Sequence, residues 1–275
     1  MRWQKREQKV QLDLYYVEVD VADVYTQGSK TEQFPVYLPL ELFAVVHRSG
    51  CYEQVFGTKT EEFWDCVRGS EWARVHPVFE NESMLKWTYP VRMHGDDAAM
   101  RSLQNQKLVI VSFHSALSTL SSLKSRLLSF AIRDKLLIAR KTLQQLFVVI
   151  AWAMNVVFAG RWPTTDHLGE PLPELYGRKV GAHRYAMRTT PLAGPYRFAF
   201  TGALGDQDWH DKVYYPVLIL GDTTFAVSGV VHRRFLLNFI SWTFRTMLAG
   251  GTPLFKQQYF WNPWVLVRLT HSCIL

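Results

Sequence analysis

Polar and apolar residues alternate from Val10 to Val24, with Val10, Leu12 and Leu14 on one side and Gln11 and Asp13 on the other. That is the two-residue period of a half-buried strand. Gln27-Gly28-Ser29-Lys30 supplies a turn, Pro35 to Pro39 is extended, and Leu40 to Val46 begins a short helix. Glu61 to Val67 has helical spacing through Phe63, Trp64 and Val67, whereas Ser70 to Leu85 is polar and reads as loop. Residues 1–84 are therefore expected to form a small accessory region of hairpin and short helices, with no catalytic constellation.

From Trp87 the pattern tightens. Trp87 to His94 reads as a strand that Gly95 breaks, and Gln104-Asn105-Gln106 turns the chain into a second strand, Lys107 to His114, rich in Val and Ile. A serine-rich connection, Ser115 to Ser125, leads to Arg126 to Ile132, a third strand whose leucines also suit a helix. The clearest helix is Leu143 to Ala159. Thr142 is placed to cap its N-terminus, Gln145 to complete a capping box, and Gly160 to take the left-handed position past its end. Leu143, Leu146, Phe147, Ile150 and Met154 share one face, which Trp152 and Val156 widen, so the helix reads as core.

Residues 161–195 hold prolines, glycines and the basic residues Arg178, Lys179, His183, Arg184 and Arg188. This insertion reads as a solvated loop, with nucleic-acid contact as the alternative. Tyr196 to Thr201 is a fourth strand, ending in Gly202-Ala203-Leu204-Gly205-Asp206, and Gln207 to Tyr214 opens a helix. Beyond Asp211 the only acid is Asp222, against six lysines and arginines. Val230 to Leu248 has the spacing of a basic amphipathic helix, which admits a membrane-surface role. The favoured reading makes residues 216–275 a degenerate, poorly ordered basic and aromatic tail.

Composition changes this picture little. The 275 residues are enough for a substantial core, and 48% are hydrophobic, as in ordinary globular chains. A formal charge of +7 permits a polyanionic partner without requiring one. Three cysteines with no CxxC pair argue against a disulfide framework or a zinc site, and no signal-peptide pattern opens the chain. Leu146 to Ala159 is short for a bilayer span. The expectation is an intracellular chain without a small-molecule cofactor.

The chemistry rests on two Gly-Asp pairs. Strand-Gly95-Asp96, two more strands, a helix, then strand-Gly205-Asp206 is the order of a ribonuclease-H-like mixed sheet, in which the first and fourth strands lie side by side. The fold class expected is thus α/β, with an incomplete core of this kind over residues 85–215. Asp96 and Asp206, 110 residues apart, would then be neighbours. Two adjacent carboxylates repel unless a cation joins them. Mg²⁺ or Mn²⁺ takes such hard oxygen ligands, and paired ions drive in-line attack on phosphodiesters. Gly95 and Gly205 would let a nucleic-acid backbone approach. Each Gly-Asp pair is also an ordinary turn signature. Asp97, Asp208 and His94 are candidate supporting residues around the metal, with Asp97 and Asp208 alternatively solvent-facing, while His94, His114 and His210 lack metal-ligand spacing. Arg161, Arg178, Lys179, Arg184, Arg188 and Arg197 are candidate nucleic-acid contacts.

Several short runs resemble an uncharacterised, highly multiplied dinoflagellate protein family that is itself similar to CACTA-type DDE transposases. They are Pro90 to Asp96, Val111 to Leu117, Ile150 to Ala153, Phe158 to Thr164 with Asp166 to Gly169, and Phe200 to Trp209. The resemblance implies DNA as partner, a nuclear setting, and Asp96 and Asp206 as the first two acids of a DDE metal set. The departures are equally specific. Asp97 stands where that family tends to carry glycine, no Cys-x-x-Cys pair follows Asp206, and no Asp or Glu lies beyond Asp222 to serve as third acid. The expectation is a truncated transposase-like chain with little or no activity. A non-catalytic nucleic-acid-binding module is the alternative.

Overall fold

In the computed structural model the described residues are 12–70, 72–74, 76–99, 107–139, 141–175, 179–205 and 209. The tail 216–275, the amphipathic segment 230–248, the turn at 104–106, Arg178, Asp206, Asp208 and His210 lie outside them. So does the segment from Gln207 to Tyr214, except for Trp209.

The chain begins with a hairpin, β1 (Tyr15–Ala22) and β2 (Ser29–Val36), paired antiparallel from Tyr15↔Val36 to Ala22↔Ser29. Its turn is closed by Asp23, whose carboxylate accepts from the Tyr25 N–H at 2.9 Å and the Thr26 hydroxyl at 2.8 Å. Val17, Val19 and Val21 point into the core, while β2 is largely exposed. Helix α1 (Pro39–Arg48) follows, with Pro39 in the first turn, where its missing N–H costs nothing. Two shorter helices, α2 (Tyr52–Phe56) and α3 (Thr60–Val67), complete the front third.

The segment expected to be polar loop, Ser70 to Leu85, is instead partly core. Two 3₁₀ turns, Pro77–Glu80 and Glu82–Trp87, bring Trp72, Val78 and Leu85 against Phe63 and Trp64 of α3 and Ala199. Seven of its sixteen residues are apolar, but they follow no helix or strand period, so the pattern conceals their burial.

The main sheet has four strands in the order β5-β4-β3-β6. β3 (Thr88–Ala99), β4 (Lys107–Ser115) and β5 (Leu127–Arg133) pair antiparallel, and β6 (Arg197–Leu204) lies parallel to β3. The one-turn helix α4 (Ser122–Ser125) joins β4 to β5. The first and fourth strands of this sheet are thus neighbours. Gly95 does not break β3: it pairs with Val111, and the ladder continues to Ala99↔Lys107.

Helix α5 (Thr142–Ala159) covers one face of the sheet and touches β6, α1 and β1. Its 18 residues are long and apolar enough, by length and composition alone, to cross a membrane, yet ten of them are buried in the fold. Gly160 takes the left-handed conformation at φ 71°, its N–H on the Val156 carbonyl, as the sequence predicts. The capping box does not form. The Thr142 hydroxyl donates to the Asp20 carbonyl at 2.5 Å, and Gln145 accepts from the Asp20 N–H and donates to its carboxylate, each at 2.9 Å. Both side chains reach the hairpin instead of their own helix end. Hydrogen bonds from Thr31, Gln145 and Lys141 hold the Asp20 carboxyl down to about 2. One continuous apolar core runs from Val17 through Val91, Val111 and Leu146 to Trp209, so the front third shares its interior with the sheet.

Candidate functional site

The two Gly-Asp motifs are brought toward one another by the β3–β6 pairing, whose parallel register ends at Met93↔Ala203 and His94↔Leu204. Gly95 and Gly205 come next. Their backbones meet so closely that a Cβ on Gly205 would lie 2.9 Å from the Gly95 carbonyl oxygen. The indole of Trp209, fully buried, lies across both. A Cβ on Gly95 would fall 1.8 Å from Trp209 Cε2, and one on Gly205 2.0 Å from Trp209 Cδ1. The glycines therefore make room for a tryptophan, and on this side the space expected for a nucleic-acid backbone is filled. Phe147 of α5 packs edge-on to the same indole at 6.2 Å.

Asp96 and Asp97 stand on opposite faces of β3, as alternation requires. Asp96 is exposed, and its carboxylate accepts from the Asp97 N–H at 2.9 Å. Asp97, on the α5 side, has a side chain only 10% exposed, with Lys107 Nζ 3.8 Å from its carboxylate. Asp97 is thus neither solvent-facing nor on the face of Asp96. Among the described residues no group of three or more His, Cys, Asp or Glu side chains is arranged to hold a metal. Asp206 and Asp208 are outside that set.

The basic candidates separate. Arg184 (α6, Ala182–Ala186) is buried in an ion pair with the buried Glu41 of α1, and it donates to the Asp13 and Leu14 carbonyls at 3.2 and 3.4 Å. His183 bridges the same acids, 3.4 Å from Asp13 and 3.5 Å from Glu41. This network ties the insertion 161–195 to the front of the chain, so the Arg184 guanidinium is committed inside. Arg188 lies over the Tyr185 ring, 3.4 Å from its centroid, and donates to the Tyr185 carbonyl.

Arg161, Lys179 and Arg197 stay at the surface or partly so. Arg161 donates to the Thr189 carbonyl at 3.0 Å. With Arg197, Gly160 and Gly194 it lines a small cavity of about 120 Å³. Arg197 opens β6, whose 8 residues end at Leu204, a span of roughly 23 Å at about 3.3 Å per step. The surface arginines and Asp96 therefore occupy opposite ends of the β3–β6 pair.

Three side chains not singled out for a role stand closer to Asp96. Arg92 is two positions before His94 on the same face of β3, His114 is directly across from Arg92, and Arg126 precedes β5. His114 is half-buried and its Nδ1 has no hydrogen-bond partner. Burial, then the charges of Arg92, Arg126 and His94, push its pKa down to about 4. The sequence signal was a strand alternating Arg92, His94, Asp96 with Val91, Met93, Gly95, visible only if the strand is continued through Gly95.

No protein-family model, curated protein or solved structure matches this chain. What is established is a mixed α/β protein with a four-stranded mixed sheet backed by a buried helix.

Proposed function

We propose that the chain is a degenerate transposase-derived domain with a ribonuclease-H-like core, with little or no remaining activity on DNA phosphodiesters, and that any such activity depends on Mg²⁺ or Mn²⁺. One juxtaposition carries the reading. The strands bearing the two Gly-Asp motifs run side by side and parallel, with Gly205 against the Gly95 carbonyl. In the chain Asp96 follows one of these glycines and Asp206 the other. The strand order, three antiparallel strands with a fourth parallel to the first, supports the same reading.

Asp96 suits a hard cation: its carboxylate is exposed, and its one described bond comes from a neighbouring N–H. In this reading Asp96 and Asp206 hold the ion, which when bound would polarise the phosphodiester and activate the attacking water or hydroxyl. The chain's own contribution is to fix the two strand ends rigidly through the Trp209 wedge. Mn²⁺ calorimetry and a plasmid-nicking assay test this reading directly. Asp96→Asn and Asp206→Asn should each lower Mn²⁺ affinity at least about tenfold, as loss of one of two charged ligands demands, and abolish nicking. Unchanged affinity and nicking in both variants would end the metal-site reading.

A second reading, a metal-independent nucleic-acid-binding module, is favoured by the cationic residues on the Asp96 face. It predicts salt-sensitive DNA binding that survives loss of both aspartates.

A further inference from the structure

On the face of the sheet turned away from α5, the guanidinium groups of Arg92 and Arg126 form no ion pair among the described residues. Arg92, His94 and Asp96 alternate along β3 with the buried Val91 and Met93, so they share this face. Across the ladder Arg92 is opposite His114, and His94 is opposite Ser112. On the other side Arg92 is level with Gly202, which contributes no side chain.

Arg92 is half-buried, and burial alone lowers its pKa from the usual guanidinium range. Among the described residues its guanidinium has neither a hydrogen bond nor an ion pair. His114 Nδ1 beside it is buried and equally unpartnered. Arg126, exposed, adds a third group whose charge reaches the His114 ring. An unmatched half-buried cation and an orphaned ring nitrogen both cost free energy in the folded chain. An oxyanion relieves both at once. A guanidinium fork matches two oxygens of a phosphate, and a neutral imidazole can donate to one from Nδ1.

We propose that this face is a phosphate-binding site, with Arg92 as its fork, His114 as a second donor and Arg126 at its rim, and that it takes the backbone of a single nucleic-acid strand. That the phosphate belongs to a strand rests on the function proposed above and on the formal charge of +7. Asp96 lies four positions along β3 from Arg92, about 13 Å at the strand rise. A nucleic-acid strand anchored at Arg92 and laid along β3 would pass Asp96.

The test uses the full chain in EDTA, so that no metal contributes, with a short fluorescein-labelled single-stranded oligonucleotide read by anisotropy at stepped KCl. Arg92→Gln should weaken binding about tenfold and lower the slope of log K against log salt by about 0.7, the share of one phosphate on a single strand. Arg92→Lys should recover the slope but not the full affinity, because it restores the charge without the fork. Arg126→Gln, at an exposed position, should shift both in the same direction and carries the test if Arg92→Gln melts early. Unchanged affinity and slope in Arg92→Gln and Arg126→Gln would overturn the site. Inorganic phosphate displacing the oligonucleotide at an equal concentration of phosphate groups would overturn the assignment to a strand. Nicking that persists in Asp96→Asn and Asp206→Asn while Arg92→Gln loses the oligonucleotide removes the metal-site reading and leaves this site standing. The reverse pattern removes this site alone.

Discussion

On the α5 side, β3 presents Val91, Met93 and Gly95; on the other side the same strand presents Arg92, His94 and Asp96. The first set lies under Trp209 and an 18-residue apolar helix. The second is covered near its start by the Trp64–Trp72 cluster, through Ala199, and further along is charged and partly open. β4 repeats the division, with Val109, Val111 and Phe113 on the α5 face and Ile110, the buried Ser112 and His114 on the opposite one. Both faces obey the same alternation. The difference teaches that a glycine in such a strand belongs to the face it opens. Gly95 opens the interior, so its cause is packing, and the chemistry of this strand has to be sought on the face of Asp96.

The largest effect that should separate the faces comes from Trp209→Ala. Removing the fully buried indole leaves a cavity over two glycines and should cost about 3–5 kcal/mol in urea unfolding. A loss below about 1 kcal/mol would mean that the indole does not wedge the β3–β6 end. Next is Gly95→Ala. Its methyl would overlap the indole, so a loss of about 1–3 kcal/mol is expected, and combining it with Trp209→Ala should cost less than the sum, because the space is then free. Strict additivity would separate the glycine from the tryptophan.

The last comparison is the response to acid. Burial pushes His76 down to about 3 and, with neighbouring cations, His114 to about 4. Both folded values lie below the unfolded value near 6.5, so the unfolded chain binds more protons as pH falls. The stability each neutral ring contributes is complete above about pH 6.5. It is lost toward pH 3 for His76 and pH 4 for His114, at up to about 1.4 kcal/mol per pH unit for each. Replacing His114 by Gln should remove its part of that slope between pH 6.5 and 4 and leave the His76 part. Urea titrations at pH 7, 5.5 and 4.5 measure it, and an unchanged slope would show that His114 titrates normally.

Much of the fold was legible. β1, α1, α3, α5 and the core strands β3, β4 and β6 follow the periods of their sequences, because a two- or 3.6-residue repeat encodes which side is buried, whereas the mostly exposed β2 has no such period and the leucines of β5 also suited a helix. Other features were hidden for a common reason. Thr142 and Gln145 look like a local cap, yet they bind Asp20, which lies over a hundred residues earlier. Arg184 sits in a basic loop, and its buried partner Glu41 lies on a helix 143 residues away. Such pairings leave no mark on their local surroundings. Of the candidate site, Asp96 could be named from its motif, while Arg92 and His114 became visible only as partners across a ladder.

The chain by itself determined the alternation of β3, the apolar stripe of α5 and the left-handed stop at Gly160, since each is a property of neighbouring residues. Only tertiary structure decided that β6 lies parallel to β3, that Trp209 fills the space above Gly95 and Gly205, and that Arg184 is spent on Glu41. Those are contacts between distant segments, and their free energy arises when burial brings together side chains that no local period relates.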